Sequence, residues 1–508
     1  MTLSNFFLDV RTVLLGLFIL LVLRWFFKKP IRNLPPGPWR FPILGSAPAI
    51  VSAVWRGLEP HDLFVAYAAK YGPVFRLKAF TKTVIVLSDY PSIKEAFQHP
   101  ELSDRPNTLI SAVTKTNGVV SASGELMIEL RRFCLTVLRS FGVGKTSFEE
   151  KIGTEAEELM KEMSSFDGKP FNPKRLLSNA VSNVICSVIF GKRYEYTDQK
   201  FQNLLDLISR NIKLLGAGGV FFFIPGLRYL PFGKFKQMIS NIQESEKFVV
   251  DIIEAHRAEF DPENLKDFVD VYLKESQQNL NNEPGAPTSK SSSSAARSHL
   301  NDSNFVGTIR NLFIAGSETT ATTLQWCLLY MMMFPEIQHR VQAEIDAVVG
   351  RNRLPRMADK RDLNFTQAVI WEVQRLACIA PLGIPHTAAS DTHIHGFTIP
   401  KGAILVPNLW ALFRDPRVYP EPDRFNPERF LDSAGKAVKP DELVPFSVGR
   451  RSCIGEHLAK MELLIFFSYF LHQFTFKKPD NSPPLSLKGK GGITYSPEPF
   501  ELCAVKRE

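Results

Sequence analysis

A sixteen-residue stretch, PFSVGRRSCIGEHLAK (Pro445 to Lys460), constrains the fold of this chain more than any other. It sets one thiol, Cys453, between two glycines, with two arginines just before it and a helical pattern directly behind it. Cations and the positive end of a helix dipole both favour the thiolate. Glycines let the backbone approach something large and flat, and leave N–H groups to donate to sulfur. The stretch therefore indicates an activated thiolate presented to a bulky partner.

Two kinds of chemistry fit such a thiolate: a nucleophile, or a ligand to haem iron. A nucleophile needs a nearby base, and His457 follows four residues later, on the new helix, which leaves its orientation open. The other cysteines are scattered, with no C-x-x-C pair, so the sequence indicates neither a disulfide framework nor a zinc site. Most of them are expected to be small buried apolar residues.

An apolar run near the N-terminus, Val10 to Phe27, is interrupted only by Arg11 and Arg24. A helix of this length spans about 27 Å, close to the hydrocarbon thickness of a bilayer. No A-x-A cleavage site follows, which favours a retained anchor over a removed signal peptide. Basic residues after the run place residues 30–508 in the cytosol. We therefore expect residues 1–29 to form a membrane anchor, with a buried core helix as the alternative.

The rest of the chain is typical of a mostly helical domain with a small β region. Short β-like runs occur near residues 72–88 and 392–408, and long helical patterns dominate elsewhere. LPPGP, Leu34 to Pro38, cannot continue a helix and is expected to fix the angle between domain and anchor. Polar, low-complexity residues 281–298 predict a disordered insert, or alternatively a domain linker. The apolar segment Gly216 to Phe232 either packs inside or touches the membrane.

The charge balance narrows the range of partners. The chain has 508 residues and a net charge of +9, so it is long enough for one large core or several smaller ones. A basic excess of this size favours acidic partners or an anionic membrane surface. No nucleic-acid-binding motif accompanies it, so no nucleic-acid partner is predicted.

Two further stretches bear on the choice between nucleophile and haem ligand. WEVQR sets Glu372 and Arg375 on one helix face, where they can pair, and NPERF adds Arg429 in a proline-bounded loop. AGSETT, Ala315 to Thr320, lies within an apolar helix, where its glycine costs about 1 kcal/mol relative to alanine. A small residue, an acid and a hydroxyl there suggest a ligand against the backbone and a proton path. The apolar flanks disfavour the alternative, a solvated helix face.

Together these motifs resemble those of the cytochrome P-450 family of haem-thiolate monooxygenases, over essentially the whole chain. FSVGRRSCIG is similar to the family signature F-x-x-G-x-R-x-C-x-G, and the matching positions are Phe446, Gly449, Arg451, Cys453 and Gly455. The anchor and the proline segment resemble those of the microsomal members, in the animal clan of drug-, fatty-acid- and steroid-hydroxylating enzymes. The resemblance implies a mainly α fold, a large helical domain with a small β region, preceded by one transmembrane helix.

The resemblance also implies roles for single residues. Cys453 would be the proximal ligand to the iron of haem b, and its thiolate would favour O–O cleavage. Glu318 and Thr319, in the oxygen-binding helix, would order water and deliver protons. Ala315 in the same helix would bind the cofactor. The residues implied to form a structural triad that locks the proximal core, without a catalytic role, are Glu372, Arg375 and Arg429.

The haem propionates would be paired by basic side chains, and the guanidinium fork suits a carboxylate well. The residues implied are Arg131, His386 and Arg451, with Arg105 as a further candidate. The sequence departs from the family pattern at one nearby position. A tryptophan usually stands four residues before the arginine, and Met127 stands there instead. Because methionine donates no hydrogen bond, the haem contact on this side is expected to differ.

The implied activity is insertion of one oxygen atom of O2 into a lipophilic small molecule: a fatty acid, a steroid or a xenobiotic. Electrons would come from a membrane-bound NADPH–cytochrome P-450 reductase, with cytochrome b5 as a second candidate partner. No flavin or NADPH is expected to bind this chain directly. The acidic face of the reductase would meet basic residues near Cys453, with Arg132, Arg450 and Lys460 as candidates. The implied location is the endoplasmic reticulum membrane, single-pass, with a cytosolic catalytic domain.

Two other functions stay open on the same fold. One is a reductase-independent isomerase or dehydratase of oxygenated lipids, and the other is a non-enzymatic haem sensor or carrier. The intact AGSETT stretch disfavours both, and NADPH consumption in the presence of reductase would discriminate them. The substrate pocket implied by the resemblance is lined by residues 107–117, residues 204–224, Phe313 to Thr319, the turn after Pro381 and the strand at Ile493.

Overall fold

The computed structural model describes residues 12–13, 15–16, 32–39, 41, 44–79, 82–106, 118–145, 148–218, 233–281, 301–480 and 482–508. The predicted anchor, the predicted insert and most of the segment Gly216 to Phe232 therefore lie outside the described residues, apart from short pieces. No helix within these ranges is both long enough and apolar enough to cross a membrane.

Helices dominate the described chain, and the strands are short, which confirms the prediction of a mainly α fold with a small β region. The helices are α1 (Ala47–Trp55), α2 (Pro60–Tyr71), α3 (Tyr90–Gln98), α4 (Gly124–Ser140), α5 (Glu149–Ser164), α6 (Lys174–Ile189), α7 (Gln199–Gly218), α8 (Gly233–Glu259), α9 (Phe268–Asn281), α10 (Asp302–Met333), α11 (Pro335–Val349), α12 (Asn364–Ala377), α13 (Leu409–Leu412) and α14 (Glu456–Gln473). The strands are β1 (Val74–Ala79), β2 (Lys82–Leu87), β3 (His386–Thr387), β4 (Thr392–Ile394), β5 (Phe397–Ile399), β6 (Ile404–Pro407), β7 (Phe474–Lys477), β8 (Gly489–Lys490), β9 (Ser496–Pro497) and β10 (Cys503–Lys506).

The described residues of 1–106 and 382–412 form a first compact unit around a four-stranded sheet. Its strand order is β1-β2-β6-β3, in which β2 and β6 run parallel and the other neighbours antiparallel. Strand β6 is buried along its whole length, as expected for an inner strand whose residues are all apolar. The sheet thus joins two parts of the chain that are far apart in sequence.

The described residues of 107–222, 226–381 and 413–508 form a second unit, which is almost entirely helical. Helix α10 runs through its centre and packs against α6, α8, α12 and α14. Trp326 of α10 is fully buried and its Nε1 donates a hydrogen bond to the carbonyl of Tyr495 at 3.0 Å. The apolar helical pattern over residues 323–349 is divided at Phe334, because Pro335 lacks an N–H and opens α11.

The predicted Glu372–Arg375 pair forms in α12, and both side chains are fully buried. Arg375 donates from Nε and Nη2 to the two carboxylate oxygens of Glu372, at 2.7 and 2.9 Å. Arg429 donates from Nε to the same carboxylate at 3.1 Å. The Nη1 of Arg375 also donates to the carbonyls of Phe413 and Pro422, both at 2.7 Å. The cluster therefore fixes the loops around residues 413–430 to α12.

Candidate functional site

The turn that carries Cys453 is closed by the backbone. The N–H of Cys453 donates to the carbonyl of Phe446 at 2.9 Å, and this bond connects the thiol residue to the first residue of the signature. Gly449 begins a short 3-10 turn, and its φ of +77° lies in the left-handed region that favours glycine. Gly455 then caps α14. The fold thus presents the thiol directly before a helix N-terminus, as predicted.

Cys453 is exposed, whereas Cys134, Cys186, Cys327 and Cys378 are buried. Surrounding protein still raises the pKa of the Cys453 thiol, and this effect is larger than the lowering by the Gly455 N–H and the Arg131 guanidinium. The thiolate was expected to be stabilised by the adjacent arginines, but the arginine that lowers the pKa of Cys453 is Arg131 of α4. Coordination to a metal ion would deprotonate such a thiol outright.

Basic side chains of the second unit surround this turn. Arg131 of α4 donates from Nη2 to Ser452 Oγ at 3.2 Å. Arg451 is buried and donates to the backbone carbonyls of Val119, at 3.2 Å, and of Ala122. Burial lowers the pKa of Arg131, and the neighbouring Cys453 opposes that shift. The structure therefore brings Arg131, Arg451 and Cys453 together.

His386 and Arg105 lie in the first unit. His386, at the start of β3, is buried, stacks on Phe97 with ring centroids 3.8 Å apart, and bonds through Nδ1 to the Leu102 carbonyl at 2.8 Å. Arg105 donates from Nη1 to the carbonyls of Ile384 and Pro385, at 2.8 and 2.9 Å. The two residues thus belong to neighbouring parts of the same unit.

Ala315 and Thr319 share one face of α10. The hydroxyl of Thr319 donates to the Ala315 carbonyl at 2.8 Å, one turn earlier. Ala315 is exposed, although it lies near the middle of a largely buried helix. At Gly316, where a ligand contact is predicted, a Cβ would lie 3.0 Å from Ile185 Cγ1 of α6. The glycine thus allows close packing of the two helices.

Glu318 faces away from that surface, into a cavity of about 270 Å³ between α6, α7 and α10 that has many polar residues in its lining. Other lining residues include Lys174, Ser182, Asp206 and Ser317. The hydroxyls of Ser182 and Ser317 are buried and have no hydrogen-bond partner within the described part of the chain. A polar space with orphan hydroxyls is suited to hold water, which would satisfy them.

Burial raises the pKa of Glu318, and the nearby Lys174 and Lys213 oppose that shift. Burial likewise lowers the pKa of Lys174, with Glu318 opposing it. The acid therefore keeps a proton to a higher pH than an exposed glutamate, beside a cavity that can supply water. The hydroxyl of the next residue, Thr319, lies on the exposed face of the same helix.

Some residues near this site carried little or no signal in the sequence. Lys174 and Asp206 belong to no recognisable motif. They line the same cavity as Glu318 because three helices pack together there. Glu462 had a signal that the sequence reading missed: it is a single acid within the apolar run MELLIFFSYFL. Met127, which replaces the usual tryptophan, is buried in α4 one turn before Arg131.

The donor set fits haem with a thiolate ligand better than it fits a nucleophile. His457 packs beside Gly144, and within the described residues it makes no hydrogen bond to Cys453. The nucleophile thus lacks its base. The exposed thiol receives a backbone N–H from Gly455, and a Cβ on that glycine would lie 4.0 Å from the sulfur. The close, open approach to sulfur and the adjacent cations match the needs of a flat anionic cofactor.

Comparison with known proteins agrees with this assignment. The sequence model of the family described as Cytochrome P450 matches residues 35–504. Cytochrome P450 2J2 of Homo sapiens is 41% identical over 504 residues, covering 97% of this chain and 96% of that relative. Cytochrome P450 2U1 of Homo sapiens is 38% identical over 519 residues (97% and 93%), and Cytochrome P450 2J5 of Mus musculus is 40% identical over 504 residues (98% and 96%). The chain therefore belongs to the cytochrome P450 family of monooxygenases, which bind haem b through a cysteine thiolate and use dioxygen as co-substrate.

Proposed function

We propose that this monooxygenase inserts one oxygen atom of O2 into a lipophilic small molecule, a fatty acid, a steroid or a xenobiotic, with electrons from an NADPH-dependent reductase. The observation that carries the proposal is the arrangement on α10, where a half-buried acid lines a cavity and the next residue carries a hydroxyl on an exposed face. Enzymes that consume external electrons and O2 need such a proton supply.

Cys453 is the proposed iron ligand, and the bound haem supplies the chemistry of oxygen activation. Phe446, Gly449 and Gly455 support the proposal by shaping the turn around the sulfur. Arg131 and Arg451, which flank the same turn, are the proposed partners of the haem carboxylates. His386 and Arg105 remain candidates for that role because of the family resemblance, as does Ala315 for contact with the haem.

Proton delivery is assigned to Glu318 and Thr319. Glu318 takes a proton from water in the cavity, and burial raises its pKa above that of an exposed glutamate. Thr319 holds its hydroxyl against the Ala315 carbonyl, a bond that it can exchange for one to an ordered water. Glu318 on the cavity side of α10 and Thr319 on its exposed side are consecutive residues, so a proton taken up on one side can be passed to the other.

The lipophilic substrate class is supported by an exposed apolar side chain at a position that the resemblance assigns to the pocket. Ile493 in the second unit is 49% exposed. Such side chains favour an apolar ligand over water. The 107–117 loop and residues 219–224 of the implied lining lie outside the described residues.

Reductase, with cytochrome b5 as an alternative donor, is proposed to dock on the basic surface near Cys453. Arg132 and Arg450 are exposed and suited to meet acidic side chains. Lys460 is less suited, because its Nζ is paired with Glu456 at 2.6 Å. We further propose residues 1–29 as the anchor of a cytosolic domain, 30–508, at the endoplasmic reticulum membrane.

The experiment combines purified protein with reductase, NADPH and a panel of fatty acids, steroids and drugs. Product, NADPH consumption and hydrogen peroxide are measured for the parent, Thr319→Ala and Thr323→Ala. Thr323 is a matched control, because its hydroxyl bonds the carbonyl four residues earlier as Thr319 does, but on the buried face. We expect Thr319→Ala to divert electrons to peroxide and Thr323→Ala to resemble the parent. Conversion of an oxygenated lipid without NADPH would instead favour the isomerase or dehydratase.

A further inference from the structure

Glu462 of α14 is an acid in an otherwise apolar environment. Glu462 is 2% exposed, and its neighbours along the helix are mostly apolar. Its Oε2 accepts a hydrogen bond from Thr320 Oγ1 of α10 at 3.0 Å. Its Oε1 is buried and has no hydrogen-bond partner within the described part of the chain. Thr320 itself is 3% exposed, so water does not compete for this bond.

The surroundings keep this carboxyl neutral near pH 7. Burial raises the pKa of Glu462 to about 8, and only the Thr320 hydroxyl opposes the shift. Helix α14 also packs against α5, α11 and α12. The acids Glu149 and Glu157 of α5 act on the pKa of Tyr469 in α14, not on that of Glu462. Among the described residues, no charged group of α10, α11 or α12 acts on it either.

The bond between Thr320 and Glu462 joins α10, which carries Thr319, to α14, which follows the turn of Cys453. Helix α14 begins three residues after Cys453, and Thr320 directly follows Thr319 in α10. Successive residues of an α-helix are rotated by about 100°. An inward bond at Thr320 therefore determines where the side chain of Thr319 points, toward the exposed face that it shares with Ala315.

We propose that Glu462 is a positioning residue for oxygen activation: its carboxyl oxygen accepts the hydrogen bond of Thr320 and so fixes the rotation of α10 that orients Thr319. The inference rests on the proposed function of Thr319. Glu462 touches no reacting group and acts only through its neighbour. If Glu462 were merely a filler of the core, Glu462→Leu would change stability, through packing and the Thr320 hydroxyl that loses its acceptor, but not peroxide release.

The test uses the haem-loaded protein with reductase and compares Glu462→Gln, Glu462→Leu, Thr320→Val and Thr320→Ser with the parent. We expect Glu462→Leu and Thr320→Val to release about 2- to 10-fold more peroxide per NADPH, the range for loss of one hydrogen bond. Glu462→Gln keeps an acceptor and Thr320→Ser keeps a donor, so both should resemble the parent at pH 7. Substrate affinity and the reduced carbon-monoxide Soret band should be unchanged in all four.

The pH profile separates positioning from packing. Peroxide release by the parent should rise as the pH passes about 8, because ionisation places a charge on a buried carboxyl with one hydroxyl partner and so loosens the contact between α10 and α14. Glu462→Gln should lack that rise. Infrared difference spectra of parent minus Glu462→Gln give a readout independent of turnover. They should show the C=O stretch of a neutral carboxyl at pH 7, which disappears through the same pH range.

Three results would overturn the proposal: no neutral-carboxyl band at pH 7, the same pH profile in parent and Glu462→Gln, or unchanged peroxide release in Thr320→Val. Thr320→Val keeps the shape of the side chain and removes the hydroxyl, so it tests the positioning role even if Glu462→Leu does not fold. Thr319→Ala is measured alongside. If Thr319→Ala alone raises peroxide, only the positioning role fails; if Thr319→Ala leaves peroxide unchanged, the proposed function of Thr319 fails.

Discussion

Glu462→Gln should change how the stability of the protein depends on pH. The pKa of this carboxyl is 4.5 in an unstructured chain and about 8 when folded. Its folded pKa is raised, so its contribution to stability is complete below about pH 4.5 and is lost as the pH rises through about 8. Each pH unit in that window costs about 1.4 kcal/mol, or about 5 kcal/mol across the whole of it.

Glutamine does not ionise, so the variant escapes this loss. It introduces an amide whose N–H groups lack partners, at a cost of about 1–3 kcal/mol that does not vary with pH. The absolute difference between the two proteins is therefore small near neutral pH, but its slope is diagnostic. The free energy of unfolding of Glu462→Gln minus that of the parent should rise by about 1.4 kcal/mol per pH unit between pH 5 and pH 7.

Denaturant unfolding of the haem-loaded proteins at a series of pH values measures this slope. Thr320→Val is the companion variant: it removes the hydroxyl that lowers the pKa of Glu462, so the window should extend to higher pH. A difference that stays flat between pH 5 and pH 8 would refute the reasoning, because it would mean that Glu462 is ionised or hydrated in the folded protein.

Two of the three further predictions concern the turn around the thiol, and the third concerns packing against α10. Cys453→Ser should abolish the red-shifted Soret band of the reduced carbon-monoxide complex, which reports thiolate ligation. Arg131→Ala, which loses a guanidinium bonded to Ser452, should speed haem transfer to apo-globin by about one to two decades; an unchanged rate would contradict its assignment. Gly118→Ala should lower the melting temperature, because its Cβ would lie 2.3 Å from the Gly307 carbonyl oxygen and overpacking costs about 1–3 kcal/mol.

The features that the sequence predicted well are those recorded within short stretches. The glycine turn around Cys453, the one-face spacing of Glu372 and Arg375, and the apolar flanks of AGSETT each depend on neighbouring residues. The structure places each of these as that local pattern requires. The break at Phe334 was missed, because the helical pattern over residues 323–349 continues through it, although a proline within such a pattern marks a boundary.

Features set by packing between distant helices were not predictable in this way. The close packing at Gly316 could not be foreseen, because the neighbour is Ile185, more than a hundred positions earlier. Lys174 and Asp206 meet Glu318 only because α6 and α7 border α10. Arg451 likewise points toward the Val119–Ala122 turn, whose carbonyls it bonds, and no pattern in the neighbouring sequence predicts that direction. Side-chain direction across a helix interface is a tertiary property.

The order of strands in the first unit has a consequence for synthesis on the ribosome. Strands β1 and β2 emerge early as a hairpin, but β2 pairs with β6, whose residues 404–407 come some 300 positions later. At translation speeds of about 5–20 residues per second, roughly 15–60 s pass before that partner leaves the exit tunnel. During this delay the nascent chain presents an apolar strand edge without its partner, the kind of surface that recruits chaperones or aggregates. Yield in cells should therefore depend on elongation rate and holdase supply, quite apart from haem loading.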